Sequence, residues 1–417
     1  MKIIISEGGS ASNVGSMALI ENAIGIARNQ HPQCDITVLS HDPQSVDEAL
    51  KKDKIKGVKV MGDMFIIPNT GSISKMVWLI QNILWIIWTR FLLLFCRRIS
   101  WAVFGRKATI LKEVEIAEYI YCIGAERIND IYFKTALLSL YAINTYIKMD
   151  KKLVHLSLTI GPVFYRSTIS VAKKVLNKSY AIFVRDTKSY KILKKWNCKA
   201  PYQYNAYDIA ILQNTNTSLS QKLLNEFGIE PGFIGLSCIH WKFRKAAGRV
   251  RQPEYEKAIA EALDYIVEKY EKKIVCTPTV VNGKDDDDEH VGNRIIEKMR
   301  HKDAVINIKR LLTPIEMATL FTQCQFSIVT RMHAAILCSG AGSRPIIAIN
   351  YLYKLREYMK NIGFEDYSVD IDYVTSADLI FFADNMMEHY NENIKALNSR
   401  QEELRKELNK YINTVWQ

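Results

Sequence analysis

Short apolar runs alternate with longer amphipathic stretches through most of this chain. Residues 2–6 contain three consecutive isoleucines and predict a buried strand; a helical pattern follows over about residues 14–29, then a second strand over 35–40. Near-continuous apolar strands separated by helices are the mark of a parallel sheet covered on both faces. Further strands are expected at 119–124, 153–158 and 180–185. A polar tract at 213–220 reads as a boundary, and a second alternation begins after Pro231-Gly232. It comprises a strand at 233–237, a helix at 255–272 and strands at 273–277 and 305–308, then a helix opened by Thr313-Pro314-Ile315-Glu316. Thr313 with Glu316 makes a capping box, and Pro314 suits the first helical turn. Strands at 326–329 and 344–349 follow, each leading into a helix.

At 417 residues the chain exceeds one ordinary core. The expected fold is therefore α/β with two Rossmann-like domains, residues 1–215 and 228–390, followed by a charged helix over 391–417. That helix is expected to pack along the outside or back across the first domain.

One segment breaks the rhythm. Residues 73–107 are largely apolar, carry four of the seven tryptophans (Trp78, Trp85, Trp88, Trp101), and read as an insertion in the first domain. Wound as a helix, Lys75, Asn82, Thr89, Arg90 and Arg97 share one stripe and nearly everything else is apolar, so most of the circumference should be buried. An arginine near the centre of a membrane span costs about 2.5–3.5 kcal/mol. A helix lying in a membrane interface with tryptophan anchors fits better; a helix in the core or in a contact between copies remains open.

Charge bears on this segment. The net charge is +12, and no acid occurs between Asp63 and Glu113, where Lys75, Arg90, Arg97, Arg98, Arg106, Lys107 and Lys112 all fall. Anionic partners are implied. Nucleic acid is excluded, since the segment lacks polar residues to read bases. Eight scattered cysteines without a Cys-x-x-Cys pair indicate a reducing compartment and no structural zinc. With a strand starting at Lys2, no signal peptide is expected, and the expected location is cytoplasmic, on the inner face of the plasma membrane. No cofactor or metal is called for. The run Asp285-Asp286-Asp287-Asp288-Glu289-His290 lacks the interleaving of a calcium loop and reads as a solvated loop, one acid of which could face an acceptor. His155, His240 and His301 default to core or surface roles.

The candidate chemistry lies at Arg331-Met332-His333, a turn between a strand and a helix. Ligands of open α/β sheets bind beyond the carboxyl ends of strands. Arginine grips phosphate or carboxylate bidentately, and an imidazole moves protons near neutral pH. Arg331-Met332-His333-Ala334-Ala335-Ile336-Leu337, followed by residues 344–349, Tyr351 and Lys354, resembles the signature of the polysaccharide pyruvyl transferases. Asn13-Val14-Gly15 resembles that family's Asn-x-Gly-Asp turn, and Gly161-Pro162 and Val184-Arg185-Asp186 with Ser189 resemble its central motifs. Asp208 fits its Asp-x-Ala-x-Leu segment.

The resemblance implies a GT-B-like pair of domains facing across a cleft, the first on the acceptor side. It implies transfer of pyruvate from phosphoenolpyruvate to two hydroxyls of a sugar, a galactose-type residue of a lipid-linked glycan, closing a cyclic ketal. His333 and Arg331 become the catalytic candidates. Arg331, Met332, His333 and Lys354 would hold the donor, and Arg185 would clamp its other anionic end from the opposite domain. Arg166 is a further candidate cation, and Asn13 and Gly15 could meet donor or acceptor through backbone amides. Ser16 stands where the family often has an acid, and Ile123-Gly124-Ala125-Glu126 replaces a glycine-rich turn. Glu126 or Asp130 would then serve the sugar hydroxyls. A GT-B glycosyltransferase using a nucleotide sugar and a catalytically silent scaffold of a glycan-assembly complex are the competing readings. A homo-oligomer is left open.

Overall fold

The computed structural model describes residues 1–68, 71–124, 126–243, 251–281, 283 and 287–416. The chain forms two compact units. The first comprises residues 1–11, 19–209 and 408–417, the second residues 12–18 and 210–407.

The first unit is built on a seven-stranded sheet of β1 (Lys2–Gly8), β2 (Asp35–Ser40), β3 (Val58–Gly62), β4 (Tyr119–Cys122), β5 (Lys152–Leu158), β6 (Ala181–Val184) and β7 (Tyr202–Asn205). Its order is β3-β2-β1-β4-β5-β6-β7, and every neighbouring pair is parallel. Ile3, Ile4 and Ile5 are fully buried, as a central parallel strand covered on both faces requires. The second unit has a six-stranded parallel sheet of β8 (Phe233–Ser237), β9 (Ile274–Cys276), β10 (Val305–Asn307), β11 (Cys324–Val329), β12 (Ile346–Asn350) and β13 (Ser368–Asp370), in the order β10-β9-β8-β11-β12-β13. Both sheets run outward from a first central strand, then reverse, so that the switch points lie between β1 and β4 and between β8 and β11. Crevices for ligands form at such points.

Of the edge strands, β10 was expected at 305–308, whereas β3, β7 and β13 escape the sequence reading. In β3, Val58-Lys59-Val60-Met61 is only half buried, and Tyr202-Gln203-Tyr204-Asn205 of β7 is polar. The expected capping box is present: Thr313 Oγ1 accepts from Glu316 N, and Glu316 Oε2 accepts from Thr313 N. The second half of the polar tract around 213–220 opens a helix, Thr217–Phe227, with Asn216 capping one end and Gly228 ending it at φ 64°. The division between units falls ahead of it, after Ile209. The C-terminal helix runs Tyr390–Trp416. Within the second unit Gln401 donates to Tyr358 Oη. Within the first, Tyr411 stacks on Tyr204 at 4.4 Å and Trp416 lies flat over Phe183.

The insertion forms a helix, Ser72–Leu92, but its polarity is turned round. Asn82, Thr89 and Leu92 are the buried residues, and Trp78, Trp85 and Ile86 pack against the first unit's core. The expectation that this helix buries most of its circumference is corrected, because most of its apolar side chains face water. Asn82 and Thr89 can turn inward since each is satisfied locally, donating to Trp78 O and Trp85 O one turn back. Among the described residues, no helix is long and apolar enough to cross a membrane.

Candidate functional site

The second unit gathers the signature residues at the carboxyl ends of β8, β11 and β12. β11 ends at Val329, and Thr330 is tied to β8 by its N–H on Ser237 O and to Tyr255 Oη at 2.8 Å. Arg331 follows directly, so its guanidinium is launched from a fixed point. It meets Asp288 through Nη2 at 2.6 Å and Nε at 3.2 Å. Burial opposes the charge on Arg331, but Asp288 holds its pKa above the ordinary value. Asp288 is 2% exposed and also accepts from Thr279 N, Thr279 Oγ1 and Val280 N, each at 3.0 Å. This corrects the solvated-loop reading of the acidic run. Asp287 and Asp288 are buried, Asp287 accepting from Gly283 N at 2.8 Å; Asp285 and Asp286 lie outside the described residues.

His333 stands in the first turn of the helix Met332–Ile336, and the Asn13-Val14-Gly15 turn is laid against it. Asn13 pairs with Val280, Val14 N donates to Thr279 O, and Val281 N donates to Ser12 O. Asn13 Oδ1 accepts from Gly15 N at 2.9 Å and from Ser16 N at 3.4 Å, capping the helix Val14–Gln30. A Cβ on Gly15 would stand 2.1 Å from His333 Nδ1. The motif glycine is therefore a clearance for the imidazole. Lys354 lies in the first turn of Tyr353–Asn361, which packs on Met332–Ile336, and it is buried, not the solvated lysine of an ordinary helix. Beside it, Asn350 ends β12 buried, with neither amide atom partnered among the described residues. Nothing in the sequence singled out Asn350.

In the first unit the expected anion clamp is corrected. Arg185 is 5% exposed; its Nη1 lies 2.7 Å from Asp208 Oδ2, its Nε donates to Thr159 Oγ1, and Glu126 is 3.9 Å from Nη2. Two acids answer this charge, which leaves a poor anion site, whereas the Arg331 side chain, paired with Asp288, is 21% exposed. Asp186 caps the helix Thr187–Lys195 through Ser189. Asp130 is also a cap: its carboxylate accepts from Phe164 N, Tyr165 N and Thr168 Oγ1, so it is not available for sugar hydroxyls. Arg166 is exposed at the start of Arg166–Leu176. His155 is a core residue 2.9 Å from Ser179 Oγ, and burial pushes it down to about 4.

Instead, four residues at or beyond the carboxyl ends of consecutive strands converge beside the β1/β4 switch point. Glu7 is the last residue but one of β1, at φ 68°, His41 follows β2, Asp63 follows β3 and Arg127 follows β4. Arg127 Nη2 contacts His41 Nε2 and reaches Glu7 O at 3.5 Å, and Asp63 Oδ2 is 3.8 Å from the imidazole. Ser139 Oγ donates to Glu7. Burial pushes the Glu7 carboxyl up to about 7 against the pull of Arg127 and Ser139. Gly124 leaves room for this, since a Cβ there would stand 2.3 Å from Arg127 Cγ. The sequence signal was present in the strand-end positions, but β3 and hence Asp63 went unread.

A family model described as polysaccharide pyruvyl transferase matches residues 13–353. The chain belongs to the polysaccharide pyruvyl transferase family. It is thus related to transferases of polysaccharide synthesis. It is 22% identical over 252 residues to the amylovoran biosynthesis protein AmsJ of Erwinia amylovora, an alignment covering 56% of this chain and 57% of that protein. The chain therefore spans little more than half the length of this relative. Among solved structures it is similar to the UDP-GlcNAc 2-epimerase of Methanocaldococcus jannaschii (TM-score 0.58, 13% identity, 92% of each chain). It is also similar to HepE of Anabaena in complex with UDP (TM-score 0.55, 14% identity, 100% of this chain and 97% of that one). At these identities the likeness is one of fold, and it places the two Rossmann-like units in the GT-B-like class.

Proposed function

We propose that this protein transfers pyruvate from phosphoenolpyruvate to two hydroxyls of a sugar in a lipid-linked glycan, a galactose-type residue being the first to test, and so closes a cyclic ketal. The observation that carries the reading is the clearance of Gly15 around His333, beside the fixed guanidinium of Arg331. Family membership and the likeness to a protein of amylovoran biosynthesis support a polysaccharide product.

Phosphoenolpyruvate presents a carboxylate and a phosphate to cations, which Arg331 and Lys354 of the second unit supply. The donor methylene takes a proton from His333 as the first sugar hydroxyl bonds to the adjacent carbon and loses its own proton. The bond from that carbon to the phosphate oxygen then breaks, the second hydroxyl adds and gives up its proton, and inorganic phosphate leaves. The sugar is assigned to the Glu7, His41, Asp63 and Arg127 cluster, whose acids and bases nearly balance and whose polar groups suit an uncharged polyol better than a second anion.

Incubation with phosphoenolpyruvate and a lipid-linked galactose-containing acceptor is expected to release phosphate and add the mass of a pyruvate ketal. Turnover of a nucleotide sugar in its place would reject the assignment. Arg127→Met is expected to raise the acceptor KM about tenfold, the equivalent of ~1.4 kcal/mol, with the phosphoenolpyruvate KM unchanged. A rise in the donor KM alone would move the sugar elsewhere.

A further inference from the structure

We infer that the outer face of Ser72–Leu92, with the loop that follows, docks on an anionic lipid surface. The inference stands apart from the transfer reaction and does not depend on it.

A helix on a protein in water normally turns its apolar stripe inward, and this one does the reverse. Its inner stripe, Asn82, Trp85, Thr89 and Leu92, follows heptad spacing and includes its two buried polar residues. The stripe is held in place. Lys107 contacts Asn82 Oδ1 and lies 4.2 Å over the Trp85 ring, and Arg90 lies 4.4 Å over the Tyr141 ring. Trp85 is therefore an inward anchor, not a membrane one. Among the described residues, most of the exposed large apolar side chains fall between Ile73 and Phe104. Phe95, Trp101 and Phe104 are 77%, 70% and 91% exposed. Apolar side chains this concentrated on one surface mark an interaction site.

Charge decides the occupant. Lys75, Arg90, Arg97, Arg98, Arg106 and Lys112 are exposed within or beside this face, Arg97 pairing with Asp150, and no acid interrupts the sequence from residue 64 to 112. A second copy would bring the same positive charge against itself, whereas an anionic lipid headgroup complements it. Trp88 and Trp101 donate their indole N–H groups to Ala102 O and Arg98 O while the two residues stay 47% and 70% exposed. Rings that are internally satisfied on the polar side can insert their apolar bodies at an interface.

The test uses the full chain with vesicles of phosphatidylcholine containing one third phosphatidylglycerol, with phosphatidylcholine alone, and with the mixed vesicles in high salt. Sedimentation with the mixed vesicles is expected, reduced by salt and by removal of the anionic lipid. The triple change Leu84→Ser, Ile87→Ser and Phe91→Ser is expected to lower partitioning about tenfold or more with an unchanged thermal midpoint, since these side chains already face water. Wild-type protein that stays in the supernatant overturns the inference. So does a triple variant that binds as the parent does, or a parent that is a dimer without vesicles and that the triple change turns into a monomer.

Discussion

His333→Ala is expected to slow pyruvyl transfer by about 10²- to 10⁴-fold, the range supplied by a positioned acid–base side chain, with a thermal midpoint close to that of the parent. The loss should fall on kcat, because in the proposed reaction the imidazole acts on the donor methylene and not on its anionic ends. Gly15→Ala separates position from chemistry. The new methyl would occupy the space of the imidazole, 2.1 Å from Nδ1, so the ring must swing away. Gly15 lies in the first turn of Val14–Gln30, where alanine favours the helix by up to about 1 kcal/mol. The expected result is a folded enzyme with lowered kcat. Phosphate release under saturating donor, alongside calorimetry, reads both variants. Turnover near that of the parent in His333→Ala would remove the proton-transfer role.

Asp288→Ala should produce a large stability loss in the second unit. Its carboxylate accepts from Thr279 and Val280 and balances Arg331. Deleting it strands a largely buried guanidinium and two backbone donors, and breaking one side of such a pair costs about 3–5 kcal/mol. For a unit of this size that is a midpoint lower by roughly 10 °C. Because Thr279 and Val280 also hold Ser12, Asn13 and Val14, the wall beside His333 loosens and transfer falls too. Asp288→Asn keeps the shape and loses the charge, so its midpoint should lie between the two. Differential scanning calorimetry decides, and an unchanged midpoint in Asp288→Ala would show the pair to be dispensable.

The central strands were legible because burial on both faces leaves an unbroken apolar run, as at Ile3-Ile4-Ile5 and Ile346-Ile347-Ala348-Ile349. The edge strands β3 and β7 were not, since both are only half buried and their sequences look like loops. The same limit governed the sites. Arg331, His333 and Lys354 announce themselves by position after strands, but the fate of a charge depends on partners far along the chain. Four consecutive aspartates look solvated by composition, yet Asp288 is claimed by Arg331 across 43 positions. Arg185 matched a family motif as well as Arg331 did, and only the proximity of Asp208 shows that its charge is spent inside the first unit. Helix Ser72–Leu92 was misread for a related reason. A periodicity gives the stripe but not which side faces the core, and Asn82 and Thr89 could face it because they bond to their own backbone.

That reversed helix has a calorimetric consequence. Apolar side chains hydrated in the free protein give up their ordered water when they enter lipid, and the heat capacity of the system falls with them. The enthalpy of docking should therefore become steadily more negative on warming. A contact made by the arginines and lysines alone would lack that slope.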